Sequence, residues 1–373
     1  MKVLSVYKTY YPDPPGGVHE VIKQICLSTS KSFNVENTIF TLTKKPTPKI
    51  INFEEAKVIR EKALFSFASC EISTPFSLTS FHNESKKNDI IHYHFPWPFG
   101  DILNYASDKN KPKVLTYHSD IIRQQFLLKA YRPLMMSTLM RMDIIVATSP
   151  NYVNSSHVLS APELRDKVRV IPIGVDDRRL LSLHDENIFD KLNIKKNEPY
   201  FLFVGVPRYY KGIHTLIKSA GKVDAKIIIA GAGGDEASLK KLSKELNLNN
   251  VIFAGMVTDA EKATLIKNCI TFILPSHVRS EAFGVVLIEA SIFGKPMITC
   301  EIGTGTSFVN KHLKTGFVVE PNNPEQLAEA MQDILDHPVQ TNSFGLSARQ
   351  RYEDLFSSKA LGNAYNDLYN ELL

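Results

Sequence analysis

The feature that most constrains this chain is a rhythm that runs through it twice. Short, nearly continuous apolar runs alternate with segments whose apolar residues recur at helical spacing. Up to about residue 174 the runs are KVLSVYK, NTIFTLT, DIIHYHF, KVLTYHS, DIIVATS and KVRVIPIG. After IPIGVDDRRL the series restarts with YFLFVGV, AKIIIAG, NVIFAGM, ITFILPS, KPMITCE and TGFVVEP. Between the runs, GGVHEVIKQICLS sets Val18, Val21, Ile22 and Ile25 on one helical face, and DEASLKKLSKEL and DAEKATLIKN read as helices too. A strand that is apolar without alternation is buried on both faces, as parallel strands covered by helices are. Two such series predict an α/β chain of two doubly wound, Rossmann-like domains. Their expected limits are residues 1–174 and 175–356. From Pro324 onward no strand signal remains, and two or three helices are expected.

With 373 residues the chain is long enough for two cores. Cys26, Cys70, Cys269 and Cys300 are scattered and form no C-x-x-C pair, so neither a zinc knuckle nor a disulfide framework is indicated, and a reducing compartment fits. The apolar run at the N-terminus is too short for a signal peptide, and no apolar stretch of about 18 residues occurs elsewhere. The expected location is cytoplasmic, at most peripheral at the inner face of the plasma membrane. Charge is uneven. Residues 1–174 hold 22 Lys and Arg against 15 Asp and Glu, whereas residues 175–373 hold 22 against 24. Either this is ordinary surface variation or the first domain meets something anionic.

Ligands of open α/β sheets bind beyond the carboxyl ends of the strands, so the candidates lie just after strand-like runs. In YPDPPGGVHEV, Gly16 and Gly17 stand between a strand and a helix, where bare backbone can approach an anion; a plain turn is the simpler reading. In LTYHSDI, His118 closes a strand and is either a sugar contact or a packed histidine. In VGVPRYYKG, Arg208 and Lys211 suit a diphosphate as fork and point charge, or are solvated surface charge. In RSEAFGVVLIEASIFGKP, Gly284 is expected near the first turn of a helix running to about Phe293, whose N–H groups favour a phosphate. Glu281 lies just upstream. Glu289, inside the apolar run, lies ~12 Å farther along at the helical rise per residue. Its carboxylate either grips a vicinal diol such as ribose or forms a structural ion pair, since a buried unpaired carboxylate is costly. His92 and His94 share a strand face, but no third ligand can be named for a metal, so packing or cleft lining is preferred. No D-x-D pair occurs, so no metal clamp is required and none is expected.

The glycine pair, strand-end His, cation pair and E-x-F-G-x-x-x-x-E, in that order, resemble glycosyltransferase family 4 over nearly the whole chain. PSHVRSEAFGVVLIEASIFGKPMI is the most specific segment, FVGVPRYYKGIHTLI supports it, and YHSD resembles bacterial GDP-mannose-dependent mannosyltransferases of polysaccharide biosynthesis. The resemblance implies a retaining enzyme of the GT-B fold, with two Rossmann-like domains facing across a cleft. The acceptor-side domain would come first and the nucleotide-sugar domain second, with a last helix, roughly 357–373, crossing back to the first. It implies that Gly16 and Gly17 approach the donor diphosphate, that His118 contacts the transferred sugar near its 6-hydroxyl, and that Glu281 holds sugar hydroxyls. Backbone at Phe283, Gly284 and Val285 would meet sugar and phosphate. Glu289 would hold the ribose, and main chain at Gly255 and Met256 would face the base. The family's usual Arg after the strand-end glycine is replaced here by Val206; Arg208 comes two residues later, while Lys211 keeps its spacing.

The implied donor is a nucleotide sugar, GDP-mannose, and the implied acceptor a glycan or lipid-linked glycan of cell-surface polysaccharide synthesis. No cofactor and no nucleic-acid partner are expected. The alternatives are a soluble-acceptor transferase or synthase using a UDP- or ADP-sugar, and a non-catalytic nucleotide-sugar-binding partner. A further expectation concerns RQQFLLKAYRPLMMSTLMRMD, where Arg123, Lys129, Arg132 and Arg141 stand among Phe126, Leu127, Leu128, Leu134, Met135, Met136, Leu139 and Met140. A basic amphipathic stretch of this kind suits contact with an anionic membrane, or packs its apolar face on the sheet. Pro133 is expected to break the helix there or to start a second one.

Overall fold

The computed structural model describes residues 1–14, 16–67, 70–121, 125–196 and 198–373. The chain divides into two compact units, Met1–Gly174 with Ser358–Leu373, and Val175–Ser357. The first contains β1 (Lys2–Val6), β2 (Glu36–Thr43), β3 (Ile50–Asn52), β4 (Lys57–Phe67), β5 (Cys70–Ser73), β6 (Ile90–Phe95), β7 (Lys113–Tyr117), β8 (Ile144–Ala147) and β9 (Val168–Val170). Their order is β3-β4-β2-β1-β6-β7-β8-β9, with β5 pairing β4. The second unit contains β10 (Tyr200–Val204), β11 (Lys226–Ala230), β12 (Val251–Gly255), β13 (Thr271–Leu274), β14 (Met297–Cys300) and β15 (Gly316–Val319), in the order β12-β11-β10-β13-β14-β15.

Both sheets are doubly wound, as the two apolar series predict. All residues of β10 are buried, and so are those of β6 and β7; β10 is apolar throughout, whereas β6 buries His92 and His94 on one face and β7 carries Lys113 and Thr116. The strand order reverses between β1 and β6 in one unit and between β10 and β13 in the other. At such a point the loops leaving two neighbouring strands part to opposite faces and open a crevice at the carboxyl edge.

The sequence reading missed β3, β4 and β5. The β3–β4 and β4–β5 pairs are antiparallel, against the parallel neighbours elsewhere in the sheet. KVIREKALFSF mixes charged and apolar residues because part of β4 lies open to solvent; Leu64 and Phe65 are exposed. The helix Gln125–Met140 also departs from expectation, for it runs through Pro133 without a break. Its second half turns Met135 and Leu139 into the core, while Leu127, Lys129 and Arg132 stay exposed. Arg123 lies outside the described residues.

The last helix, Ser358–Leu372, belongs to the first unit. It buries Leu361, Tyr365, Leu368 and Tyr369, a face at helical spacing. It runs so close to the helix Gly17–Phe33 that a Cβ at Gly362 would stand 2.9 Å from the carbonyl oxygen of Ser28. Only glycine admits that approach. Among the described residues no helix is long and apolar enough to cross a membrane.

Candidate functional site

In the second unit the candidates flank the strand-order reversal. Beyond β10 the chain passes Gly205, Val206, Pro207 and Arg208 into a single turn, Tyr209–Lys211, closed by Gly212. Gly212 has φ +68°, and a Cβ there would stand 1.9 Å from the carbonyl oxygen of Pro275 at the end of β13. That close approach brings the two loops side by side. Lys211 Nζ donates to Glu281 Oε2, an ion pair whose side chains are only 14% and 12% exposed. Ser276 Oγ reaches the same oxygen at 3.4 Å.

Glu281 is held from behind as well. Thr304 Oγ1 donates to its carbonyl at 2.8 Å, and the Gly305 amide donates to Ala282 O at 2.9 Å. The ring of Phe283 presses so closely on Gly305 that a Cβ there would meet it at 2.4 Å. Gly284 follows at φ +79° and caps the helix Val285–Ile292. The Leu287 N–H donates back to Gly284 O at 2.8 Å; the first-turn N–H groups before it lack intrahelical acceptors by geometry, and the helix dipole favours an anion at this end. The segment 281–285, clamped in this way, presents the Glu281 carboxylate and the helix N-terminus together, with the Lys211 cation held against it from the neighbouring loop.

Glu289 is not an isolated buried carboxylate. Lys262, on the helix Asp259–Asn268, donates to its Oε1 at 2.9 Å, and both side chains are about one-fifth exposed. Arg208 is not drawn to the Lys211–Glu281 pair. It is exposed and lines a hollow of about 390 Å³ with Tyr209, Ile213, His214, Asp235, Ser238 and Leu239. Gly255 ends β12 at φ +67°, and Met256 beyond it is 78% exposed. The sequence reading passed over GAGG after β11. Gly231 lies so close to β10 that a Cβ would fall 2.0 Å from Gly205 O, and Gly234 stands equally close to Pro207 O. The run of glycines after a strand was the available signal. It also passed over His277, which stands edge-on to Tyr209 and His214 and has neither ring nitrogen hydrogen-bonded.

In the first unit, Gly16 and Gly17 follow β1 and begin the helix Gly17–Phe33. Nothing lies within 4 Å of a Cβ placed at either, and Gly16 is extended at φ −145°. Neither the conformation nor the packing of this unit therefore requires glycine there. The Gly16 amide donates to His19 Nδ1 at 3.0 Å, which fixes the proton of His19 on Nε2, 2.8 Å from Thr9 Oγ1. His118 follows β7, buried, with its Nε2 3.0 Å from His94 Nδ1. His92 in turn meets Tyr369 OH at 2.8 Å and Thr116 Oγ1 at 2.7 Å, and Thr116 meets Tyr365 OH at 2.9 Å. Burial pushes His92 and His118 down to about 3 and His94 well below its usual value, so all three rings are neutral at physiological pH. Among the described residues no group of three or more His, Cys, Asp or Glu is gathered as a metal site.

Family models describe what this arrangement is similar to. One, "Glycosyltransferase Family 4", matches residues 15–179, and another, "Glycosyl transferases group 1", matches residues 184–351. D-rhamnosyltransferase WbpZ of Pseudomonas aeruginosa is 42% identical over 361 residues, spanning 96% of this chain and 93% of its own. O-antigen chain mannosyltransferase C of Escherichia coli is 40% identical over 376 residues, spanning 100% and 99%. Among solved structures, a sucrose-phosphate synthase from Thermosynechococcus elongatus superposes with a TM-score of 0.77 at 21% identity, over 100% of this chain and 98% of that one. Anabaena HepE in complex with UDP and glucose superposes with a TM-score of 0.75 at 17% identity, over the full length of both. These two share the fold, the two-unit GT-B architecture.

Proposed function

This chain belongs to the family 4 glycosyltransferases, enzymes that carry a sugar from a nucleotide donor to a glycan acceptor, and we propose that its donor is GDP-mannose or a close GDP-sugar. The acceptor in this reading is a lipid-linked glycan of cell-surface polysaccharide. The observation that carries the proposal is the full-length identity of 40% to an O-antigen chain mannosyltransferase. The relative named for D-rhamnose agrees in sugar configuration, since D-rhamnose is mannose without its 6-hydroxyl.

The roles follow from charge. Breaking the sugar–phosphate bond leaves positive character on the ring and negative charge on the departing diphosphate. Lys211 and the N-terminus of Val285–Ile292 offset the latter charge. Glu281 holds sugar hydroxyls and keeps Lys211 oriented through their ion pair. His118 contacts the transferred sugar. Gly16 and Gly17 let backbone reach the diphosphate; that no packing demand explains these glycines supports the reading. Main chain at Gly255 and Met256 serves the base, Glu289 the ribose, and Arg208, with Lys211, the departing diphosphate. The acceptor attacks the face the leaving group departs from, and the leaving phosphate takes its proton, so configuration is retained.

The first unit is also proposed to touch the anionic inner face of the plasma membrane. Lys129 and Arg132 stand exposed beside Leu127 on the helix Gln125–Met140. Each basic residue near such a surface adds about 1 kcal/mol. Salt-sensitive sedimentation with phosphatidylserine vesicles, weakened by Lys129→Glu/Arg132→Glu, is the expected result, and no sedimentation at low salt refutes the contact.

A thermal-shift series with GDP-mannose, GDP, UDP-glucose and ADP-glucose tests the donor. A ligand at 100 times its dissociation constant stabilises by about 2.7 kcal/mol. A shift with UDP- or ADP-sugars and none with GDP or GDP-mannose refutes the assignment.

A further inference from the structure

Three imidazoles stand in file in the first unit. His92 and His94 are two residues apart on β6 and so share a face of the strand, and His118 lies beyond the neighbouring β7. The His92 and His94 ring centroids are 4.4 Å apart, and those of His94 and His118 are 5.3 Å apart, both pairs stacked. Tyr365 and Tyr369, one turn apart on the last helix, brace the far end through Thr116 and His92.

A neutral imidazole carries one N–H and one bare nitrogen, so the hydrogen bonds in this file have few solutions. His94 Nδ1 and His118 Nε2 are 3.0 Å apart, and only one of them holds a proton. If His118 Nε2–H donates, the proton of His94 must sit on its Nε2. That atom is buried and has no hydrogen-bond partner. A buried N–H would be orphaned, the rarer of the two kinds of unmet polar group. If His94 Nδ1–H donates instead, only a bare lone pair is left there.

We infer that His94 is a positioning residue that donates from Nδ1 to His118 Nε2 and thereby holds His118 with its proton on Nδ1. This rests on the reading of His118 as a sugar contact. In that tautomer His118 meets the sugar as a hydrogen-bond donor. Its one basic nitrogen is spent on His94, so it serves no general-base step. The oxygen it meets is an acceptor, a hydroxyl or ring oxygen of the transferred sugar. Among the described residues no hydrogen bond engages His118 Nδ1, which leaves that N–H for a ligand.

The test has two arms on the full chain. Long-range ¹H–¹⁵N correlation of the histidine-labelled, ligand-free protein at neutral pH reads the tautomer without any catalytic assay. The expected spectrum has His118 protonated at Nδ1 and bare at Nε2; protonation at Nε2 overturns the inference. In the second arm His94→Phe keeps ring volume but offers no donor, while His94→Asn restores an N–H near the Nδ1 position. His94→Phe should lower kcat on the order of 10- to 100-fold, the size of loss that follows removal of the outer hydrogen-bond partner of a metal-bound histidine, with KM for the donor little changed. His94→Asn should regain most of that loss. Unchanged turnover in His94→Phe, or no recovery in a folded His94→Asn, overturns the inference if His118→Ala is itself inactive. Full activity in His118→Ala would instead sink the catalytic reading of His118, and the spectrum would still decide the tautomer.

Discussion

Replacing Lys211 by Met should expose how the Lys211–Glu281 pair is held. Methionine keeps most of the side-chain volume and removes the charge. Glu281 is then left 12% exposed, with Ser276 Oγ at 3.4 Å as its remaining side-chain donor. Removing one partner of a buried ion pair costs about 3–5 kcal/mol. The remaining exposure and the serine place this case at the lower end, near about 3 kcal/mol. For a unit of this size about 1 kcal/mol moves the melting temperature by 2–4 °C, so the ligand-free variant should melt roughly 6–12 °C lower. Lys211→Met/Glu281→Gln leaves no charge to strand and should recover to within about 1 kcal/mol of the parent. Both variants should lose donor cleavage by orders of magnitude, because the cation that meets the departing diphosphate is gone. Calorimetry without nucleotide measures the first effect and product release the second. A single variant melting within about 2 °C of the parent, or a double variant melting no higher than the single one, refutes the reasoning.

Glu289→Ala removes a partner of Lys262 that is about one-fifth exposed, and Lys262 keeps Asp259 at 3.7 Å, so stability should fall by about 0.5–1 kcal/mol. Two hydrogen bonds from a ribose diol to a carboxylate are worth about 1.5–3 kcal/mol each, so GDP affinity by titration calorimetry should fall at least ~100-fold; unchanged affinity in a destabilised variant makes the ion pair its whole role. Gly16→Ala should melt like the parent, since its Cβ has free space, while donor affinity falls; equal affinity removes Gly16 from the diphosphate site. Between pH 7 and pH 5 stability should fall, because His92, His94 and His118 stay unprotonated in the folded chain while unfolded imidazoles take up protons near pH 6.5. Each such group costs up to about 1.4 kcal/mol per pH unit below that point. Asp101, pushed up to about 7 by burial, works in the opposite sense as a single group. A melting temperature that rises from pH 7 to pH 5, or a His92→Asn variant with an equally steep profile, contradicts this account.

The sequence by itself determined the two parallel sheets. A strand covered on both faces is mainly apolar, so β8, β10, β13 and β14 are written as nearly continuous apolar runs, and β6 and β7 also, apart from His92, His94, Lys113 and Thr116. It also carried the family, through spacing around Glu281, Phe283, Gly284 and Glu289. It did not disclose β3, β4 and β5, because strands partly open to solvent lose the apolar run and keep only a weak alternation. It named Lys211 and Glu281 but not their ion pair, which joins positions 70 residues apart. It named His118 and noticed His94, but gave no reason to join them, and none to set Tyr369 against His92 across 277 residues. Periodicity records which face of an element is buried. Which buried groups then meet is decided by strand order, by the loop approach that Gly212 allows, and by the helix crossing that Gly362 allows. These are contacts between elements, and no local pattern of residues encodes them.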